Sequence, residues 1–437
     1  MRRARADAGP AGASGASSPQ APPLARAAVQ DPDRWRAALW DHLLAWYRAS
    51  RRDLPWRSTR DPYRVWLSEV MLQQTQVETV VPYYHRFLER FPDLASLAAS
   101  GEVDVLKAWE GLGFYRRARL FRSAAAELAA EGRGVPDDPE RFRRLPGVGP
   151  YTAGAVMSIA FGHRLPAVDG NAVRVLSRWA ALEAAPGAPG ARAAVDALAA
   201  WLVPGEAPGE WNQAIMELGA RVCLPGGSAA CSACPVERFC RAREAGLVHR
   251  IPPPRRRAPV REVELVLALI CRDGRVLVRR RPAEGLLAGF WELPGIEADP
   301  GDRPPQEALA RALEGLLGQP VRVGAERLAY VHRFSHRLWR VRLLEGFVGE
   351  GPAGRGAEGP GEDLAWVEGS RLGTLPVAAA HRPAMELARQ EAHQRHHQQQ
   401  DTFQGEEARS QAHPVSQEAD PEGEEARAQG GHGHEQA

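Results

Sequence analysis

The stretch RRLPGVGPYTAGAV, residues 143–156, reads as a helix end, a tight turn and a fresh helix. Pro146 stops the first helix and biases the residue before it toward extended geometry. Gly147 and Gly149 tolerate positive φ and allow another chain close to their backbone. Pro150 suits a first helical turn, and the apolar run through Ala160 carries the helix on. Free amides at such a helix N-terminus attract an anion, most often a phosphate. An ordinary helix–helix turn can carry the same glycines, so the rest of the chain decides.

Length and composition bound the answer. The chain has 437 residues, 44% hydrophobic and 25% charged, enough for two or three globular domains. No apolar run is long enough to span a membrane. The net charge of +2 hides a split: residues 401–437 carry nine acidic and two basic residues, a net −7, so the first 400 carry +9. A basic body suits a polyanionic partner. Lys107 is the single lysine; every other basic Lys/Arg position is arginine.

The pattern divides the chain. Residues 1–31, the first thirty of which hold four Arg and one Asp among Ala, Gly, Ser and Pro, read as a disordered tail without a secretory apolar core. Helical periodicity fills an all-α domain over 32–222, followed by a four-cysteine loop at 223–240 and a Pro/Arg-rich linker at 241–262. An α+β domain follows over 263–387. It opens with a hairpin signal around Asp273-Gly274. RLWRVRLLEGFV (337–348) is strand-like and PQEALARALEGLLG (305–318) helical. Residues 388–437, rich in Gln, His and Glu with Phe403 as their one aromatic, read as a disordered tail.

Three groups of residues carry chemistry. Cys223-x7-Cys231-x2-Cys234-x5-Cys240 is a metal-binding spacing that suits either zinc or a [4Fe–4S] cluster. YRVWLSEVMLQQT predicts a helix from Tyr63 to about Thr75, with Glu69 between Val65, Trp66 and Leu72 on one apolar face. Burial there would raise its pKa and keep it protonated near neutrality, as a general acid requires; a lone surface glutamate paired with arginine is the plainer alternative. Asp169 precedes a helix and reads by itself as an N-cap.

Taken together, these residues resemble the helix-hairpin-helix DNA glycosylases related to endonuclease III: LPGVG, an aspartate 20 residues past Gly149, then a four-cysteine loop. PWR (55–57), VWLSEVMLQQTQV (65–77), GLGFYRRAR (111–119), VDGNAVRV (168–175) and NQAIMELGARVC (212–223) are similar to the adenine DNA glycosylases of the MutY type, over roughly 33–387. The resemblance implies an all-α helix-hairpin-helix domain with an iron–sulfur loop, then an α+β Nudix-like domain. It implies that Glu69 protonates adenine and Asp169 stabilises the sugar cation, with Tyr151 and Asn171 beside them. Arg57, Gln74, Thr75, Leu112, Phe114, Gly147 and Gly149 would contact DNA, with Gln74 and Leu112 probing or wedging the duplex. Cys223, Cys231, Cys234 and Cys240 would hold a [4Fe–4S] cluster. Phe334, Ser335 and His336 match a loop that reads 8-oxoguanine.

The implied reaction is hydrolytic removal of adenine opposite 8-oxoguanine or guanine in double-stranded DNA, leaving an abasic site. Relatives that also cut the strand carry a lysine where Tyr151 stands. A strand-cleaving or thymine-excising relative would lack Glu69's carboxylate, and a purely DNA-binding module would not need Glu69 and Asp169 together. A monomer in the cytoplasm, at the nucleoid, is the expectation, with organellar targeting by the Arg-rich tail left open. Three departures stand out. The first cysteine gap holds seven residues where six are usual; Phe114 replaces a frequent Tyr; and EALARALEGLLG has Ala and Leu where a Nudix hydrolase carries metal-binding glutamates.

Overall fold

The computed structural model describes residues 31–254, 259–282, 284–298, 305–349 and 363–395. Residues 1–30, the arginine run Arg255–Arg257 of the expected linker, and residues 396–437 lie outside the described residues.

The helical domain has two apolar cores. One is built around the Pro62–Leu72, Arg116–Ala130 and Pro150–Ala160 helices, with Trp66, Phe87, Phe121 and Phe142 at its centre. The other joins the Pro32–Ser50, Gly170–Trp179, Ala191–Leu202 and Pro208–Arg221 helices and takes in the cysteine loop. Trp66 meets Phe121 and Phe142 edge-on, with ring centroids 4.8 and 5.0 Å away, a favoured aromatic geometry. The glycine turn forms as the sequence predicts. Gly147 has φ +78°, and a Cβ there would stand 2.8 Å from Leu120 Cβ, so both conformation and space require glycine. Gly149 is the N-cap of the Pro150–Ala160 helix.

Helix Pro62–Leu72 ends three residues before the expected Thr75. Gln73 leaves helical geometry and Gln74 turns to φ +61°.

The second domain is a mixed sheet with a helix on each face. Strands β1 (Arg261–Arg272), β2 (Arg275–Arg280), β3 (Trp291–Glu292), β4 (Gly295–Ala298), β5 (Val321–Arg333), β6 (Arg337–Val348) and β7 (Leu364–Glu368) include the path β3-β2-β1-β6-β5. β4 adds to β1 and β7 to β2; β1 and β6 run parallel, the other pairs antiparallel. β1 is a continuous apolar run because both of its faces are covered. Leu265, Leu267 and Leu269 face Ala384, Met385 and Ala388, while Val266, Ala268 and Ile270 face Leu309 and Leu313. The expected Asp273-Gly274 hairpin is present, with φ +50° and +70°, the signs of a type I′ turn.

The terminal helix corrects the domain boundary expected at 387. It runs from 382 to 395, with Ala388 and Ala392 fully buried, so residues 388–395 belong to the fold. Small side chains let it lie close on the sheet, which the Gln- and His-rich composition masks.

The domains touch. Phe290 and Ala378 complete the first helical core, and the Phe290 ring lies 4.2 Å from that of Tyr115. Lys107 Nζ donates to the carbonyls of Gly373 and Leu375, and Arg382 pairs with Glu110.

Candidate active site

A cleft of about 600 Å³ opens between the two helical cores, and Glu69, Tyr151, Asp169 and Asn171 all line it. Glu69 is 5% exposed. Its helix is buried on nearly every side, which is why a carboxylate four residues past Val65 leaves water. Burial pushes its pKa from 4.5 up to about 7, against a lowering hydrogen bond from Tyr151; the charge of Asp169 raises it further and Arg57 lowers it. The Tyr151 hydroxyl donates to Glu69 Oε2 at 2.5 Å. The phenol is held well above its ordinary range by burial and then by the two nearby carboxylates, so it stays a donor.

Asp169 caps the Gly170–Trp179 helix and lines the cleft at once. Oδ1 accepts from the Ala172 amide at 2.7 Å and Oδ2 from Asn171 Nδ2 at 2.9 Å. The helix N-cap and the cleft-facing carboxylate are therefore one arrangement, and the helix dipole favours negative charge there. Asn171 is oriented in turn by Arg174, whose guanidinium also bonds the carbonyls of Gly219 and Cys223. A Cβ on Gly219 would stand 2.6 Å from Asn171 Cβ, so the helix approach needs glycine.

The expected DNA-contacting residues separate into two groups. Gln74 is exposed at the cleft edge and Phe114 is 47% exposed at φ +48°. Thr75, half-buried, lines the cleft and accepts from Arg117. Leu112, expected as a probe or wedge, is 5% exposed and packs in the first core. Arg57 is not a free cation. It bonds Glu217 Oε2 at 2.8 Å and the Arg52 carbonyl, and stacks over Tyr47.

Glu217 escaped sequence reasoning. It is fully buried beside the cleft, and burial alone would raise it, yet hydrogen bonds from Arg52 and Arg57 hold its carboxyl at about 2. Its partners lie 165 and 160 residues away, and no local pattern announces such a pair.

The tip Phe334-Ser335-His336 joins β5 to β6, as the sequence predicts, and is not among the residues lining the cleft. Phe334 meets Trp339 edge-on at 4.9 Å, and Ser335 and His336 are exposed.

The four cysteines converge on one small cavity against Trp179 and Val222. The seven-residue gap closes at its neck, where the Ala230 amide donates to the Val222 carbonyl at 2.9 Å, so Pro225–Ser228 bulge into solvent. The extra residue is absorbed outside the cavity. Arg178 Nη1 donates to Cys223 Sγ at 3.1 Å. Four converging sulfurs with a guanidinium beside them fit a thiolate-bound metal centre, although no three potential ligands among the described residues stand in coordinating geometry.

Residues 67–199 match the model of the HhH-GPD superfamily of base excision DNA repair proteins, and residues 265–387 match the NUDIX domain model. The chain is 37% identical over 350 residues to an adenine DNA glycosylase of Homo sapiens, covering 67% of this chain and 64% of that protein. It is 35% identical over 385 residues to that of Mus musculus, covering 76% and 74%. Against the adenine DNA glycosylase of Schizosaccharomyces pombe it is 32% identical over 363 residues, covering 68% and 78%.

Proposed function

This chain belongs to the adenine DNA glycosylase family, and from that premise we propose that it extrudes adenine from duplex DNA and hydrolyses its N-glycosidic bond without cutting the strand. The observation that carries the reading is the pairing, in one cleft, of a buried carboxyl titrating at about 7 with a helix-capping carboxylate. A base inside a duplex is out of reach, so it must be flipped into the cleft. Glu69, protonated, gives its proton to the departing adenine as the C1′–N bond breaks and the electron pair leaves with the base. Asp169 stabilises the positive charge left on the sugar. Water then adds to C1′ and its proton returns to Glu69. The Gly147–Gly149 turn offers backbone amides and a helix N-terminus to a phosphate.

The deciding assay incubates the protein with duplexes carrying adenine opposite 8-oxoguanine, adenine opposite guanine, or thymine opposite guanine, with and without alkali. Adenine release with strand breaks only after alkali is expected. Thymine release, or breaks before alkali, would overturn the reading.

The second domain verifies the opposite base in this proposal. Its helix Pro305–Leu317 turns Leu309, Leu313 and Leu317 into the sheet and leaves Leu316, 42% exposed, on the outer face. The sequence EALARALEGLLG, with Ala and Leu in place of metal-binding glutamates, supports a reading domain rather than a pyrophosphate hydrolase. Ser335 at the exposed tip can hydrogen-bond the altered purine edge of 8-oxoguanine, with Phe334 and His336 positioning it. A site of one or two such bonds discriminates by about 1–3 kcal/mol, so Ser335→Ala with His336→Ala should compress the preference for 8-oxoguanine over guanine about ten- to a hundredfold. Paired single-turnover rates on the two duplexes measure it; an unchanged ratio places lesion reading elsewhere.

Cys223, Cys231, Cys234 and Cys240 would hold a [4Fe–4S] cluster. Such a cluster cross-links the 223–240 loop onto the second helical core and contributes folding energy. Protein purified without oxygen should contain about four iron and four sulfide per chain; stoichiometric zinc without sulfide would refute the assignment. The expected partner is adenine-mispaired duplex DNA, bound by a monomer at the nucleoid. No helix among the described residues is long and apolar enough to cross a membrane.

A further inference from the structure

Arg117 is a guanidinium surrounded by backbone. Nη1 donates to the carbonyls of Val70 at 2.8 Å, Met71 at 2.9 Å and Gln73 at 2.5 Å. Nη2 reaches Thr75 Oγ1 at 3.1 Å and the Gly113 carbonyl at 3.1 Å, with a longer contact to Leu112, and Nε faces the Phe114 carbonyl at 3.4 Å. These acceptors are carbonyls and a hydroxyl, none of them charged. Burial accordingly pushes its pKa down to about 10 with no carboxylate offsetting it. A partly desolvated cation without an anion is costly, so its placement asks for a reason.

The acceptors give one. Val70, Met71 and Gln73 carry the orphan carbonyls at the C-terminus of the helix that bears Glu69, which a cation satisfies. Leu112, Gly113 and Phe114 belong to a separate loop, 39 or more residues further along the chain from Val70, Met71 and Gln73. Each side presents one exposed non-glycine residue in the left-handed region, Gln74 at φ +61° and Phe114 at φ +48°. Such strain persists only where surroundings over-determine it, and it clusters at functional sites. Gln74 lines the cleft beside Glu69, and Phe114 offers an exposed ring face of the kind that stacks on bases. The Arg117 guanidinium also lies 5.5 Å from the Phe114 ring centroid.

We propose that Arg117 is a positioning residue that locks Gln74 and Phe114 into a single duplex-probing unit, braced against the helix that carries Glu69. The inference rests on the DNA glycosylase reading. Disturbing the duplex then requires both side chains together, and loosening one releases the other.

The test compares native protein with Arg117→Lys, which keeps the charge but loses the fork. Single-turnover excision is measured on adenine opposite 8-oxoguanine and on adenine opposite an abasic-site analogue, where no pair resists extrusion. Releasing both held positions should slow the paired substrate about ten- to a hundredfold. The unpaired substrate should change far less. Equal losses on both would show a merely structural role and overturn the proposal. Binding of the same duplexes supplies a second arm that does not depend on excision or on folding of the lysine variant. Gln74→Ala and Phe114→Ala, alone and together in otherwise native protein, should give a double variant that binds little worse than either single. Additive losses would overturn the coupling. Native protein that excises adenine from neither duplex would refute the glycosylase reading instead, and the binding cycle would still judge the coupling.

Discussion

Glu69→Gln protein is expected to bind adenine-containing duplex nearly as tightly as native protein, to release almost no adenine, and to be more stable than native protein at pH 8. A positioned general acid contributes about a hundred- to ten-thousandfold, so single-turnover release should fall by at least about a thousandfold if extra charge on the leaving base is also left unneutralised. The pH dependence follows from the same side chain. Native excision needs Glu69 protonated, so its rate should fall as pH rises through about 7, and the residual rate of the variant should lose that limb. The stability effect has the opposite sense. The folded-state pKa of Glu69 lies above its ordinary 4.5, so the stability that its protonated form contributes is present below about 4.5 and is lost as pH rises to about 7. That gap corresponds to about 3 kcal/mol, the cost of the buried carboxylate above pH 7, which an uncharged amide does not incur. Thermal unfolding at pH 8 and pH 5 checks it: the variant's advantage should appear at the first and shrink at the second. Wild-type-like release in the variant would sink the acid assignment, and a variant less stable at pH 8 would show that Glu69 is not held near-neutral by burial.

Much of this site was legible because its signals are local. The glycine turn needs only Pro146, Gly147 and Gly149 in order, and the hairpin at Asp273-Gly274 needs only two residues of permissive backbone. Glu69 stood out because a carboxylate interrupts an apolar helix face. What stayed hidden depends on distance along the chain. Arg117 is one arginine among many, and all but one of its acceptors are main-chain carbonyls, which leave no mark in sequence. Glu217 is fixed by Arg52 and Arg57, far upstream. Leu112 and Phe114 sit two residues apart in one loop, and only the left-handed turn at Gly113 and Phe114 determines that the leucine goes in and the phenylalanine out. The docking of the second domain was hidden for the same reason. Phe290 covers Tyr115, the residue after Phe114, so the second domain rests directly against the loop that carries Phe114. Removing that domain should therefore uncover apolar core as well as discard the Phe334-Ser335-His336 tip.

Tyr151→Lys should convert the protein into a weak strand-cleaving enzyme while costing it most of its adenine release at neutral pH. Tyr151 now donates to Glu69 and stands close enough to Asp169 to feel its charge. An ammonium in that position would face two carboxylates. An opposite charge within about 4–6 Å lowers a carboxyl pKa by about 1–3 units, enough to strip Glu69 at pH 7.5 of most of its remaining protonated fraction, the proton that adenine requires. Release should fall about ten- to a thousandfold at that pH, with its maximum moving to lower pH as Glu69 is reprotonated. On a duplex that already contains an abasic site, excision is bypassed. There the uncharged amine can add to C1′ of the ring-opened sugar, lose water and form an imine, from which the strand breaks by elimination. Borohydride reduces that imine to a stable amine, so trapped protein–DNA adduct measures it directly. The variant should trap and the native protein, with a phenol held protonated in that place, should not. Efficient trapping by native protein would place a reactive amine elsewhere, and Lys107 is a poor candidate because its ammonium is already engaged by Glu110 and by the carbonyls of Gly373 and Leu375. A variant that neither traps nor shifts its pH maximum would mean that Tyr151 does not sit against the reacting sugar, and the hydrolytic, non-cleaving mechanism would lose its explanation.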